Sequence, residues 1–418
     1  MAQGTLVSIV VASRGRPKGL YRCLLSLLQQ YYRPLEIIVV ADPAGCAHVA
    51  DLASRSGVVL LPYDEANLSA ARNLGVAAAH GAVVAFIDDD AAAEPKWITH
   101  LLAGFALPGA EAVGGFVLGR NGISHQWRAR AVAPDGSEIA LTPPSGDAPF
   151  VALPPQGYAA KTQGTNCAFR AATLRAMGGF DPAYRYFNDE TDLNLRMAAA
   201  GHATAFAPLA LVHHGFSENA ARRADRTPRD LFEIGRSQAV LLRRHLHQSQ
   251  REAAMAEFAH AQRRRLLHHM VAGTLDPAAV GRLMARLQAG FAAGAEAVLQ
   301  PLPPLADPCG TPVLVTADAP RAASWRAGHW RRRQRLEKQA RALRQSGEVT
   351  TLFCFSATPL RHRASFREDG IWEQNGGIFG RSIRSEPAPH LWRSMDRAKH
   401  EIRRLRQLRW PEPGGKEG

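Results

Sequence analysis

Three consecutive carboxylates, Asp88-Asp89-Asp90, close the apolar run Val83–Ile87. Charges of one sign crowded at a strand end repel one another. A divalent cation would relieve that cost, and hard oxygen ligands suit Mg²⁺ or Mn²⁺. A cation there could bridge a diphosphate and neutralise the charge that develops as it leaves. Taken alone, the triplet reads equally as a solvated acidic turn. A second acidic group, Asp189, Glu190 and Asp192, opens a stretch that continues with Leu193, Leu195 and Arg196, and carboxylates in the first turn of a helix are favourable for structure alone. His213-His214 ends another apolar run, where an imidazole pair serves either as ligand or as packing. Asp42 follows the run LEIIVVA and can accept from a pyrimidine or ribose donor, although it also suits a turn. Arg72 has the fork geometry that pairs with phosphate oxygens.

The elements that must position these groups are legible from periodicity. Short apolar runs at Leu6–Ala12, Leu35–Val40, Val58–Leu61 and Val83–Ile87 predict strands. Between them, Pro17–Gln30 places Leu20, Leu24, Leu27 and Leu28 at helical spacing, with Pro17 suited to a first turn. Further helices are expected over Leu68–Ala79 and Pro95–Phe105. This alternation predicts an α/β fold with a largely parallel sheet covered on both faces, in which ligands bind beyond the carboxyl ends of the strands. The Gly-, Pro- and Ser-rich stretch Gly119–Gln163 predicts long surface loops over the acceptor side. Thr227-Pro228 predicts the opening of a helix that runs to about His245, and helix rich in Ala, Arg and Leu follows to about Leu299. QPLPPLADP (Gln300–Pro308) predicts a linker. Beyond it, TLFCF (Thr351–Phe355) is strand-like, and Asn375-Gly376 predicts a hairpin turn.

VAFIDDD, preceded by NLSAARNLGVAAAHG, resembles the region of family 2 glycosyltransferases where an Arg-Asn helix and a glycine lead into a strand ending in the metal-binding acidic motif. The resemblance extends upstream to VSIVVASRGRPKGLYRCLLSLLQQ and LEIIVVADPAG. Downstream it takes in TQGTNCAFRAATLRAMGGFDPAYRYFNDETDLNLRMAAAG and LVHHG, covering about residues 5 to 245 in order. It implies a GT-A fold with a Rossmann-like sheet, and an inverting transferase that moves a sugar from a nucleotide-diphosphate donor, a UDP-sugar by expectation, to an acceptor hydroxyl on a glycan or lipid. By resemblance, Ala12, Ser13 and Arg14 contact the nucleoside, Asp42 the base, and Arg72 the diphosphate or base. The family's paired acid after the second strand is Ala41-Asp42 here, which leaves base selectivity open. Asp90 is the implied direct metal ligand, Asp88 lies nearer the ribose or metal, and Asp89 could replace either. His213 and His214 match the family's late histidine. In the later acidic block with Asp192, Glu190 falls at the catalytic-base position and Asp189 is the alternative. Gly164, Thr165 and Asn166 match a loop lining donor sugar and acceptor, or a tight turn. The implied cofactor is Mn²⁺ or Mg²⁺.

Composition fits a soluble globular protein with roughly two or more domains. Five scattered cysteines argue against a disulfide framework or zinc cluster and fit a reducing cytoplasm. No run reaches the ~18 apolar residues of a membrane span, and the opening residues lack a secretory leader. The net charge of +14 is uneven: residues 1–216 hold 16 Lys and Arg against 17 Asp and Glu, and the remainder holds 35 against 20. The expected division is a catalytic domain over 1–245, a helical extension over 246–300 and a basic region over 301–418. Clusters such as Arg263–Arg265, Arg331–Arg333 and Arg403-Arg404 read first as solvated helix faces and second as peripheral contacts with anionic membrane or glycan. No nucleic-acid motif accompanies them. A sugar-nucleotide pyrophosphorylase is the alternative enzyme, but SRGRPKG matches its triphosphate loop poorly. A catalytically silent glycan- or membrane-binding module is the alternative from another class.

Overall fold

The computed structural model describes residues 4–215, 218, 220–316, 319–320, 322–383, 386 and 392–411. Along the first half the order is β1 (Val7–Ser13), α1 (Pro17–Leu27), β2 (Leu35–Ala41), α2 (Pro43–Ser56), β3 (Val58–Pro62), α3 (Leu68–Ala78), β4 (Val83–Phe86), β5 (Ala91–Ala93), α4 (Trp97–Gly104) and β6 (Ala110–Leu118). Short strands β7 (His125–Trp127), β8 (Arg130–Val132), β9 (Glu138–Ala140), β10 (Phe150–Val151) and β11 (Ala159–Lys161) follow. Then come β12 (Cys167–Arg170), α5 (Ala171–Ala176), α6 (Asp189–Ala199) and the long β13 (Ala203–His214).

The main sheet runs β10-β13-β6-β12-β4-β1-β2-β3. β3, β2, β1 and β4 are mutually parallel, β12 is antiparallel to both β4 and β6, and β13 is parallel to β6. This is the mostly parallel α/β sheet that the alternation of runs predicts. Its central strands are buried along nearly their whole length because both faces are covered. Val7, Ile9 and Val11 of β1 pack with Leu20, Leu24 and Leu27 of α1, whereas Val10 packs on the other face with Ala71 and Val76 of α3. α3 lies so close to β1 that a Cβ on Gly75 would sit 2.4 Å from Val10.

Three local expectations are corrected. Gly119–Gln163 is not loop throughout: β11, β8 and β9 pair there as a separate three-stranded sheet. The helix expected from Thr227 opens later, as α7 (Phe232–His245), with the Asp230 carboxylate accepting from the Phe232 N–H. Thr227 instead donates its N–H to Asp225, and Pro228 forms an isolated bridge with Arg222, so this stretch is a turn held by its own side chain. Asn375-Gly376 turns no hairpin. It lies inside a strand, where a Cβ on Gly376 would meet His362 at 2.2 Å, so the glycine is required for close packing.

After α7, α8 (Gln248–Val271) and α9 (Pro277–Ala295) complete a helical layer. Backbone contact between α7 and α9 depends on Gly235, Gly290 and Gly294. The chain then returns over the family of parallel strands without regular structure, and the Val315 and Thr316 N–H groups donate to the carbonyls of Leu35 and Ser56. The final region is β14 (Ala323–His329), α10 (Arg333–Gln345), β15 (Val349–Ser356), β16 (Arg363–Phe366), β17 (Trp372–Gly377) and α11 (Ser394–Arg409). It forms a third sheet, β14-β15-β17-β16, in which only the β16–β17 pair is antiparallel. The turn between those two strands ends at Gly370, whose φ of +76° is in the left-handed region that favours glycine.

This region is docked on the first domain by buried charge. Arg409 donates from both Nε and Nη2 to Glu94 at 2.7 Å, and its guanidinium lies 4.2 Å over Trp372. Burial by itself would raise the Glu94 pKa, but Arg409 and His213 outweigh it and hold the carboxyl at about 2. A folded value below the unfolded one stabilises above the ordinary carboxylate range, and that stabilisation is lost as pH falls toward 2. Arg409→Met is therefore expected to cost about 3–5 kcal/mol by stranding Glu94. Urea denaturation at neutral pH checks this, and the cost should shrink in acid. An unchanged midpoint would mean that the pair does not hold the interface.

Candidate active site

β1, β4 and β13 run in one direction, so their carboxyl ends meet at one sheet edge. The loop after β1 supplies Ser13 to Arg16, the turn after β4 supplies the three aspartates, and β13 ends in the two histidines. β5 then folds back along β13, pairing Ala91 with His214 and Ala92 with His213.

The aspartates diverge in environment. Asp89 is fully buried, accepts from the Ser13 hydroxyl at 2.6 Å and is paired with Arg16 at 2.6 Å. Burial nonetheless pushes it up to about 7, against the pull of Arg16 and with Asp90 and Asp88 adding to the rise. Asp90 lies 3.3 Å from Arg16 and 3.1 Å from His214 Nε2, and Asp88 is about a third exposed to the cleft. One oxygen each of Asp88 and Asp90 and one nitrogen of His214 all lie within 4.8 Å of one another. Two hard oxygens with an imidazole suit Mn²⁺ or Mg²⁺, while Arg16 and Arg72 offset only part of the carboxylate charge gathered here.

His213 and His214 are separated by strand alternation, which sends neighbouring side chains to opposite faces. His213 Nε2 lies 2.7 Å from Glu94, and its ring packs on Trp372 with centroids 5.0 Å apart. It belongs to the domain interface rather than to the Asp88, Asp90 and His214 group.

Arg72 reaches the same edge from α3. Buried over Phe180, it is paired with Asp189 and with Asp88 at 3.3 Å, and donates to the Gly164 carbonyl at 3.2 Å. A Cβ on Gly164 would sit 2.8 Å from Arg72 Nη2, so a larger residue there would displace the guanidinium.

The second acidic group also divides. Asp192 accepts from Arg196 and lies 2.8 Å from His245 Nε2, on the far side of α6 from the cleft. These partners outweigh its burial and lower its pKa. Asp189 is spent on Arg72. Glu190 faces the cleft with Lys161 Nζ 3.8 Å away, and burial and Asp189 push its carboxyl up to about 7 while Lys161 and Arg72 oppose. The cleft is about 360 Å³. An adjoining, more apolar cavity of about 310 Å³ is lined by Ala12, Ser13, Arg14, Val40, Tyr63 and Ala71 among others.

Two expected donor contacts are placed elsewhere. Asn166 accepts from Trp97 Nε1 and donates to the carbonyls of Phe116 and Ala210, so its whole amide braces the sheet. Asp42 caps α2 through the Gly45 N–H and accepts from the Gly15 N–H, which pins the loop after β1. Sequence reasoning passed over Arg16, Glu94 and Lys161. Arg16 had a signal, since Pro17 at the first turn of α1 fixes it opposite the acidic turn. Glu94 and Lys161 had none, because their partners lie far away in sequence.

Residues 8–177 match the family model described as Glycosyl transferase family 2. The match spans less than half of the chain. The chain is 27% identical over 215 residues to the pre-mycofactocin glycosyltransferase of Mycobacterium tuberculosis, a match that covers 50% of this chain and 42% of that protein. It is 38% identical over 119 residues to the glucosyl-dolichyl phosphate glucuronosyltransferase of Haloferax volcanii, covering 27% of this chain and 38% of that one. The chain thus spans less than half the length of these curated relatives. Among solved structures, GalNAc-T7 with UDP, GalNAc and Mn²⁺ is 16% identical with a TM-score of 0.42, covering 51% of this chain and 44% of that chain. A similarity at that level carries no weight for the site, and the assignment rests on the family 2 match. Among the described residues no helix is long and apolar enough to cross a membrane.

Because the two histidines face apart, His214→Gln is expected to weaken Mn²⁺ binding at least about tenfold. His213→Gln, whose amide still reaches Glu94, should change it by less than about twofold. Electron paramagnetic resonance of free Mn²⁺ during titration measures both. Equal losses would place both imidazoles in the metal group.

Proposed function

We propose that this protein is an inverting glycosyltransferase that moves a sugar from a nucleotide-diphosphate donor, a UDP-sugar by preference, to an acceptor hydroxyl. The observation that carries the reading is the division of labour among carboxylates at one sheet edge. Asp88 and Asp90 face His214 as candidate metal ligands, while Glu190 stands apart in the same cleft with a raised pKa. The family 2 match and the relatives' names as glycosyltransferases support the activity.

Ala12, Ser13 and Arg14 line the cavity that would take the nucleoside, and Asp42 acts by pinning that loop. Arg72, fixed by Asp189, Asp88 and Gly164, directs its positive charge toward the diphosphate. Asp88, Asp90 and His214 would hold a divalent cation that neutralises charge on the departing nucleotide. Glu190 takes the proton from the acceptor hydroxyl. The oxygen then attacks the anomeric carbon from the face opposite the leaving group, which inverts the configuration in one displacement. Asp189 is a weaker base candidate because its charge is committed to Arg72, and Asp192 because it points to Arg196 and His245. A base near 7 suits proton transfer at neutral pH. Membrane contact through the basic C-terminal half and a cytoplasmic location are parts of the same proposal.

Glu190→Gln is expected to bind UDP with Mn²⁺ as the parent does and to lose transfer by at least about a hundredfold. Calorimetry and a sugar-transfer assay with a panel of nucleotide sugars separate the two effects. In the parent protein, kcat/KM should rise as pH increases through about 7, because Glu190 must be ionised to act. Near-normal turnover in Glu190→Gln would remove the base from this residue.

A further inference from the structure

One wall of the cleft that holds Glu190 comes from outside the family 2 segment. α8 lays Arg265 into it beside Arg222 of the turn after β13. Arg265 donates to the neutral amide oxygen of Gln262 at 3.1 Å. Among the described residues, the charged and titratable neighbours that act on it are Arg222 and Tyr186, with no carboxylate. Burial and Arg222 both push the guanidinium below its ordinary pKa, so this wall carries positive charge that its surroundings disfavour. Neither arginine borders the apolar cavity next to Ala12, Val40 and Tyr63. The run Tyr186 to Glu190 lines the cleft between Arg265 and the proposed base, and Phe187 in it packs on Phe258 of α8 with ring centroids 6.4 Å apart.

We propose that Arg265, with Arg222, forms an anion-binding acceptor subsite, so that the hydroxyl presented to Glu190 belongs to a molecule bearing a phosphate or carboxylate. This rests on the transferase reading above. The donor's own diphosphate charge is met by Arg72 and the candidate metal group, which leaves the α8 wall for a second anion. A planar guanidinium pairs with either group through two parallel hydrogen bonds.

The test uses the full chain and three probes of one scaffold: glucose 6-phosphate, glucuronate and glucose, titrated calorimetrically with and without UDP and Mn²⁺. The two anions are expected to bind at least about tenfold more tightly than glucose, as a charge-assisted pair predicts. Their relative order tells phosphate from carboxylate. Arg265→Gln should abolish the preference and Arg265→Lys should keep part of it, with UDP binding unchanged in both. Equal binding of all three probes overturns the subsite, as does a preference that survives Arg265→Gln. Loss of UDP binding in Arg265→Gln would assign the residue to the donor and overturn it too. If the parent protein ignores UDP but still prefers the anions through Arg265, the donor reading falls and the anion site stands.

Discussion

Excess negative charge at one sheet edge is the constraint around which the rest of this molecule is arranged. Three aspartates leave β4, and Asp189 and Glu190 approach from α6, all beside the carboxyl ends of parallel strands. Two arginines hold this together. Arg16 spans Asp89 and Asp90, and Arg72 spans Asp88 and Asp189. A buried arginine without its carboxylates would be costly, and so would the carboxylates without it. The pairs therefore fix where α1 and α3 meet the sheet, and they leave Asp88, Asp90, His214 and Glu190 as the groups with chemistry to spare.

The same edge explains why the C-terminal sheet is attached where it is. Glu94 follows the acidic turn by four residues, and its carboxylate is met by residues from elsewhere: His213 from β13 and Arg409 from the end of α11. Through them the last helix of the chain is tied to the two strands that carry the candidate metal ligands. The backbone adds to this, since the Lys96 N–H donates to the Leu408 carbonyl and the Gly215 N–H to the Asp90 carbonyl. The basic C-terminal region is thus partly an internal counter-charge and not wholly a solvated face.

Much of the sheet was legible because its signal is local. Continuous apolar runs gave β1 to β4 to within a residue at either end, and Pro17 and the leucines of α1 gave that helix a boundary three residues too long. Asp88, Asp90, Arg72 and Glu190 come together at one sheet edge because each sits immediately after or opposite such an element. The difference between His213 and His214 could not be read, because it depends on which face of β13 meets Trp372, more than 150 residues later. Asn166 had the composition of a ligand-binding loop, yet three distant groups consume its amide. Asn375-Gly376 has the local chemistry of a turn, and long-range pairing with β15 and β16 overrides it.

The residues that would activate a donor and those that would choose an acceptor come from different parts of the chain. Everything around Asp88, Asp90 and Arg72 lies within or just beyond the family 2 segment, at the carboxyl ends of the paired strands of the main sheet. Arg265 stands on a helix added after that segment, packed through Phe258 against the loop that delivers Glu190. A change in α8 can therefore alter what approaches Glu190 without moving the aspartates, because no hydrogen bond or ion pair links Arg265 to them among the described residues. Charge at the sheet edge is self-balanced apart from the group that would hold a cation. Arg265 on the α8 wall has no carboxylate partner among the described residues, and that contrast separates a site that would bind its donor by built-in pairs from one that would select its acceptor by a cation.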